Sequence, residues 1–408
     1  MIKASSGLGV KKLPILVLLL GLAGITPLFA IDIIFKPPVF TGNDDFGEYV
    51  VNQFNQRVDE VFTDLRKDIM DEIGGIDDNP QKLIGAFGTS SVFASSGATQ
   101  RSYEGYDKFA VTLGSMIGFQ LPSSPFSIAN ELRDFTTNLD EAGDMRLGVN
   151  PQALNAQIGI NTSKFLLKNL YLGLKFGFMN LNFSGNSFGD VSFKTMSVGV
   201  MGNYQIFTHK SLGLGLLRWR GLSVGTGFIY QRTNLSYGFS LDPIEERISV
   251  PGYFSDDVKE ALVLEDDDDI PGYVLTGFTV NVEATPRLSM DLSVNTYTIP
   301  LQAVTSVRLL SFLNLSFGLG ADIGFGSAGL HATGNAEVDI TGQPDSVSVD
   351  KPAEFSIVMG GDNSPAIFNP KIMAGIGFSL GPVIIDIPVT YYPMNEGYSV
   401  GITIGVAF

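Results

Sequence analysis

The 408-residue sequence contains no cysteine and only two histidines, His209 and His331. The first absence excludes a disulfide framework, a thiol nucleophile and lipid attachment through cysteine. The second leaves little for metal or acid–base chemistry. No His-Glu-x-x-His motif, phosphate-binding loop or strand-to-helix elbow exposing a serine occurs, so neither an enzyme nor a cofactor is expected. Charged residues make up 17 % of the chain, against about 25 % in ordinary soluble domains. After residue 30 no stretch supplies the roughly 18 uninterrupted apolar residues of a membrane-crossing helix.

Glycine and aromatics are abundant: Gly 47, Phe 30 and Tyr 13. The sheet propensity of aromatics and the close strand approach that glycine allows point to an all-β protein. Residues 1–30, MIKASSGLGVKKLPILVLLLGLAGITPLFA, place lysines before an apolar run and end on a small residue, as a secretory signal peptide cleaved after Ala30 does. Cleavage removes three basic residues and no acidic ones from a chain of net charge −16. Nucleic acid is therefore an unsuitable partner.

The last residues, GYSVGITIGVAF, put Tyr398, Val400, Ile402, Ile404, Val406 and Phe408 on one side of a strand and only Gly, Ser, Thr and Ala on the other. FLNLSFGLGADIGFG (312–326) and RLSMDLSVN (287–295) repeat the alternation. In the first, alternation continues for thirteen residues, long enough to cross a bilayer at a tilt. The expected strands are 109–120, 152–165, 168–183, 188–206, 220–240, 271–283, 286–297, 300–310, 312–326, 328–340, 352–360, 367–380, 382–392 and 396–408. They make a transmembrane antiparallel β-barrel of about 14 strands, or 12 if 328–360 is a loop. Lipid cannot satisfy an open sheet edge, so the sheet must close. Short turns such as Gly381-Pro382 define the periplasmic end; long segments (121–150, 241–270) lie outside the cell.

Alternation alone puts Lys175, Glu283, Arg287, Asp291, Arg308, Asp322 and Asp386 in the lumen, where opposed charges could select solutes or brace one another. Glu265 to Asp269 lack calcium-loop spacing and read as a solvated surface run. His209 and His331 fall at opposite ends of the barrel.

Residues 31–108 differ from the rest. An amphipathic helix is expected where Phe54, Val58, Val61, Leu65 and Ile69 recur at helical spacing, and the Gly/Ser/Ala-rich stretch after it suits either a plug or a periplasmic appendage. The domains are thus 1–30, 31–108 and 109–408.

The alternating, aromatic-terminated last strand, from Tyr398 to Phe408, resembles the ending of bacterial outer-membrane barrels. That resemblance implies residence in the outer membrane, contact with its lipid and recognition of the strand by the assembly machinery. NPQKLIGAFG followed by SSVFASSG, with Asn79, Pro80 and Gln81 near the place of an Asn-Pro-Ala element, is similar to the hatch of the long-chain fatty acid transporter family. This implies hatch-gated transport of long hydrophobic molecules. The function expected first is that of an outer-membrane channel or transporter for passive uptake of small solutes of unknown identity; the hatch-gated transporter of hydrophobic molecules and a surface adhesin or structural barrel are the alternatives.

Overall fold

The computed structural model describes residues 30–36, 39–42, 80–97, 105–120, 148–185, 189–212, 217–240, 244–250, 278–341, 347–351 and 354–408, together with Val51, Asn55, Asp59 and Thr63. The chain starts with β1 (Ala30–Lys36), β2 (Val39–Gly42) and helix α1 (Pro80–Ser96). It continues through β3 (Phe109–Gln120), β4 (Gly148–Asn161), β5 (Leu170–Gly185), β6 (Gly189–Phe207), β7 (Lys210–Leu212), β8 (Leu217–Ser240) and β9 (Ile244–Val250). The remaining strands are β10 (Phe278–Leu309), β11 (Leu313–Thr341), β12 (Val347–Lys351), β13 (Glu354–Asn363), β14 (Phe368–Leu380), β15 (Val383–Tyr392) and β16 (Gly397–Ala407).

The main sheet holds 14 strands, but its closed wall uses ten: β3, β4, β5, β6, β8, β10, β11, β14, β15 and β16, with β16 pairing β3. The smaller ring has a physical cause. The described part of 271–283 runs on through 286–297 and 300–309 as the single strand β10, and 312–326 joins 328–340 as β11. The segment at 352–360 becomes β13, which pairs with β1 and with the part of β11 beyond the ring, and so adds no strand to the wall.

Prolines within the wall mark local irregularities in continuous strands. Pro300 falls where β8 pairing lapses between Thr298 and Leu301, and Pro388 where β16 pairing lapses between Asp386 and Val389. Pro286 lies between the end of β9 pairing and the start of β8 pairing, while Pro370 precedes the first β15 partner. Each proline lacks a ladder donor and sits where one neighbour is missing.

Ile402 and Ile404 are exposed on the outer face while Ser399, Gly401 and Thr403 are buried inside. Such a polar-in, apolar-out wall is stable only in lipid. Phe109 packs against Phe408 at one rim and Phe119 against Tyr398 at the other, with ring centroids 5.2 and 5.5 Å apart. Ten residues of tilted strand between these girdles correspond to about 26 Å of height, the thickness of an outer-membrane apolar layer. Among the described residues no helix is long and apolar enough to span a membrane. The protein is an outer-membrane β-barrel.

The turns at 162–169, 310–312 and 381–382, and both ends of the wall at Phe109 and Phe408, share one rim. By their shortness this is the periplasmic rim. β10 and β11 continue far beyond the opposite rim, where β9, β13 and β1 extend the sheet.

Candidate functional site: a helix seated in the lumen

The sequence of α1, PQKLIGAFGTSSVFASS, is dominated by small residues. That composition gives it a narrow cross-section suited to the interior of a ten-stranded ring. Ile84, Ala86 and every residue from Thr89 to Ser96 are buried. Wall glycines form its seats: a Cβ on Gly118 would strike the backbone of Ser90 and Ala94, and one on Gly148 the backbone of Ala86. At Gly324 an added Cβ would come within 2.8 Å of Val92, and at Gly397 it would strike the ring of Phe93. Phe93 itself stacks on Tyr392, centroids 3.8 Å apart.

Hydroxyl pairs fasten the helix to β10. Ser91 meets Thr296 and Ser95 meets Thr298, each at 3.0 Å, and Ser96 meets the Tyr392 hydroxyl at 2.7 Å. Tyr392 in turn donates to Asp322 at 2.9 Å, and Asp322 forms a 2.7 Å ion pair with Lys371. Both charged groups are buried, so the pair must satisfy itself without water.

Lys175 donates to the carbonyl of Ser95 at 2.7 Å and to that of Gly97. A cation on the C-terminal carbonyls of a helix satisfies unpaired acceptors and complements the helix dipole. Lys175→Met is therefore expected to loosen the last turn of α1 while leaving the wall intact. Hydrogen exchange should speed up at residues 94–97 with little change at Thr112 or Ile404, and the assignment fails if protection at 94–97 is unchanged.

The seven charges expected in the lumen divide. Lys175, Asp322 and Asp386 are buried inside, and Arg308 lies part-buried near the periplasmic rim, donating to Asn314 at 2.6 Å and Ser379 at 3.2 Å. Arg287 and Asp291 are instead exposed on the face opposite Leu292, Val294, Thr296 and Thr298, all of which are buried. This corrects their expected lumen position. Their strand has by then left the bilayer, and beyond it an ordinary apolar-in, polar-out sheet is favoured. For Glu283 the backbone pairing with Glu245 and Asp339 is described.

Phe54, Val58, Val61, Leu65, Ile69 and the acidic run Glu265–Asp269 lie outside the described residues, although Val51, Asn55, Asp59 and Thr63 are helical. His209 is in the periplasmic connection and His331 pairs across from Asp291 beyond the other rim. The chain carries Gly-x-Ser-x-Gly strings at 185–189, 221–225 and 397–401. The last two are strand interior and the first bridges the ends of β5 and β6, so none forms an elbow leading into a helix.

Two further features were invisible to strand periodicity. β4 and β5 pair only from Leu154↔Phe178 to Asn161↔Tyr171, so the seam between them is unpaired toward the outer rim, where Pro151 cannot donate. There Gln152 and Asn150 bond across to β8 rather than to β5: Gln152 donates to Gln231 at 2.6 Å, Gln231 to Asn150 at 2.8 Å, and Asn150 to Thr233 at 2.9 Å. On the outside, beside this seam, a largely apolar groove of about 480 Å³ includes Ile117, Pro151, Ala153, Met179 and Ile402. A second cavity of about 810 Å³ lies beyond the rim, lined by Gln81 of α1 and by Asp291, Leu292, Leu330 and His331 among others.

The fold is that of an outer-membrane barrel with a helix seated in its lumen. Residues 39–408 match the Lsa36-like family model, and the chain belongs to that family. No curated protein sequence matches it. Among solved structures it is similar to the translocator domain of the autotransporter NalP from Neisseria meningitidis, at 9 % identity and a TM-score of 0.27 over 74 % of this chain and 90 % of that one. It is similar also to the toluene transporter TbuX of Ralstonia pickettii, at 10 % identity and a TM-score of 0.23, with 80 % and 99 % of the two chains covered.

Proposed function

We propose that the protein is a transporter gated by α1, and that its cargo is a hydrophobic molecule leaving through the β4–β5 seam. The observation that carries this reading is the coincidence of an unpaired seam, an apolar groove on its outer side and a helix occupying the lumen at the same level. A molecule with low water solubility entering from the outer cavity would gain by passing sideways into lipid rather than continuing through water. Movement of α1 would free the space it fills.

A second reading has its own support. Between α1 and the periplasmic rim the inner wall is polar, and Gln302, Asn203 and Thr403 present buried atoms with no protein hydrogen-bond partner among the described residues. Such atoms are ordinarily hydrated. A wet lower lumen fits a small polar solute once the plug moves.

The chain has no native thiol, so a crosslink can be placed cleanly. Ser91→Cys with Thr296→Cys replaces a hydroxyl pair 3.0 Å apart. Oxidised, this variant should stop uptake of a fluorescent long-chain fatty acid into cells, and reduction should restore it. Loss of polar-solute flux with fatty acid uptake unaffected would support the second reading; uptake of both, undisturbed by a formed crosslink, would defeat gating by α1.

A further inference from the structure

We infer that residues 31–36 and 39–42, near the N-terminus, lie on the outer surface of the membrane and that the chain reaches its first wall strand by running down through the lumen. The register fixes the first half. β1 pairs with β13 from Ala30↔Gly360 to Lys36↔Glu354, and β13 pairs with residues 328–336 of β11. That part of β11 lies beyond Ile323, its last residue to pair with β14, and so beyond the rim opposite the short turns. β2 independently pairs with β12, in the long connection on the same side, where Thr41 meets Ser348 at 3.1 Å.

The direction of α1 supplies the second half. Its first turn is held beyond the wall's outer rim by the side chain of Asn363, which donates to the Gln81 carbonyl, and Gly88 lies against Pro365. Its last turn reaches Lys175, five residues into β5 from the periplasmic rim. The chain reappears at Gly105 and Tyr106, packed on Tyr171 with ring centroids 4.9 Å apart, and Lys108 donates to the carbonyl of Phe408 at that rim. Residues 80–97 thus enter the ring from one mouth, and residues 105–108 stand at the other. Were the leader cleaved after Ala30, as its sequence leads one to expect, the new N-terminus at Ile31 would lie in β1, on the outside.

Single cysteines test this in the full chain on living cells. Thr41→Cys is expected to react with a polymer-sized, membrane-impermeant maleimide on intact cells, whereas Lys164→Cys in the exposed 162–169 turn should react only after the outer membrane is permeabilised. Thr41→Cys reacting only after permeabilisation overturns the inference, as does Lys164→Cys reacting on intact cells. Should Thr41→Cys lower the yield of folded barrel, Lys36→Cys, also exposed, gives the same readout. The pair Thr41→Cys with Ser348→Cys should form a disulfide, and its absence in a folded barrel would remove the β2–β12 half of the argument.

Discussion

Deleting residues 80–96 is expected to produce discrete channel openings in a planar bilayer where the intact protein shows none. The helix is bonded to β10 and β15, and its removal exposes Thr296, Thr298, Tyr392 and the four glycine seats to the lumen. None of the ten wall strands depends on α1 for its ladder, since every pairing in the ring is strand to strand. Heat-modifiable migration should therefore persist. Gly118→Val attacks the same contact from the wall: the added side chain meets backbone of Ser90 and Ala94, which cannot rotate away. It should open the channel in part with the whole chain present. A folded deletion variant without openings would mean that α1 is not what closes the lumen.

The second large effect concerns Asp322. Asp322→Ala leaves Lys371 as a buried charge and removes an acceptor from the Tyr392 hydroxyl. Breaking a buried pair by removing one partner costs about 3–5 kcal/mol. Asp322→Leu combined with Lys371→Met should cost far less, because no orphan charge remains. Unfolding midpoints of the detergent-solubilised barrel measure both. Equal destabilisation by the single and double variants would show that Lys371 is not dependent on Asp322. Since Tyr392 also bonds Ser96 and stacks on Phe93, the single variant should additionally raise hydrogen exchange in α1.

The wall was legible because lipid enforces one rule on every crossing strand. Alternation in 312–326 and 396–408 identified both the strands and, for Ile402 or Asn314, the face. The same rule misled for 287–295: Leu292 and Val294 alternate as they would against lipid, yet they face inward on a stretch that has left the bilayer. Periodicity reports that two faces differ and is silent on which solvent each meets. The helix escaped for a related reason. PQKLIGAFGTSSVFASS has no strong apolar stripe, because a helix enclosed on all sides by a polar wall needs small size and hydroxyls rather than amphipathicity. Its hydroxyl partners are more than 200 residues away in sequence, as Ser91 and Thr296 are. No local pattern encodes such a contact.

The pairing of β16 with β3, from Gly397↔Gln120 to Ala407↔Ala110, sets the order of manufacture. That ladder joins segments separated by almost the whole wall, and a contact of such long range forms late, after intervening hairpins have shortened the loop to be closed. Once it zips, nothing bulky can be passed through the hoop. The stretch leading into β3 must therefore already be laid across the half-built sheet, with the C-terminal strand acting as the final clasp. A mutation that weakens this last ladder, such as Gly114→Val against the Ile402 carbonyl, would delay the clasp and lengthen the interval in which proteases meet an open edge.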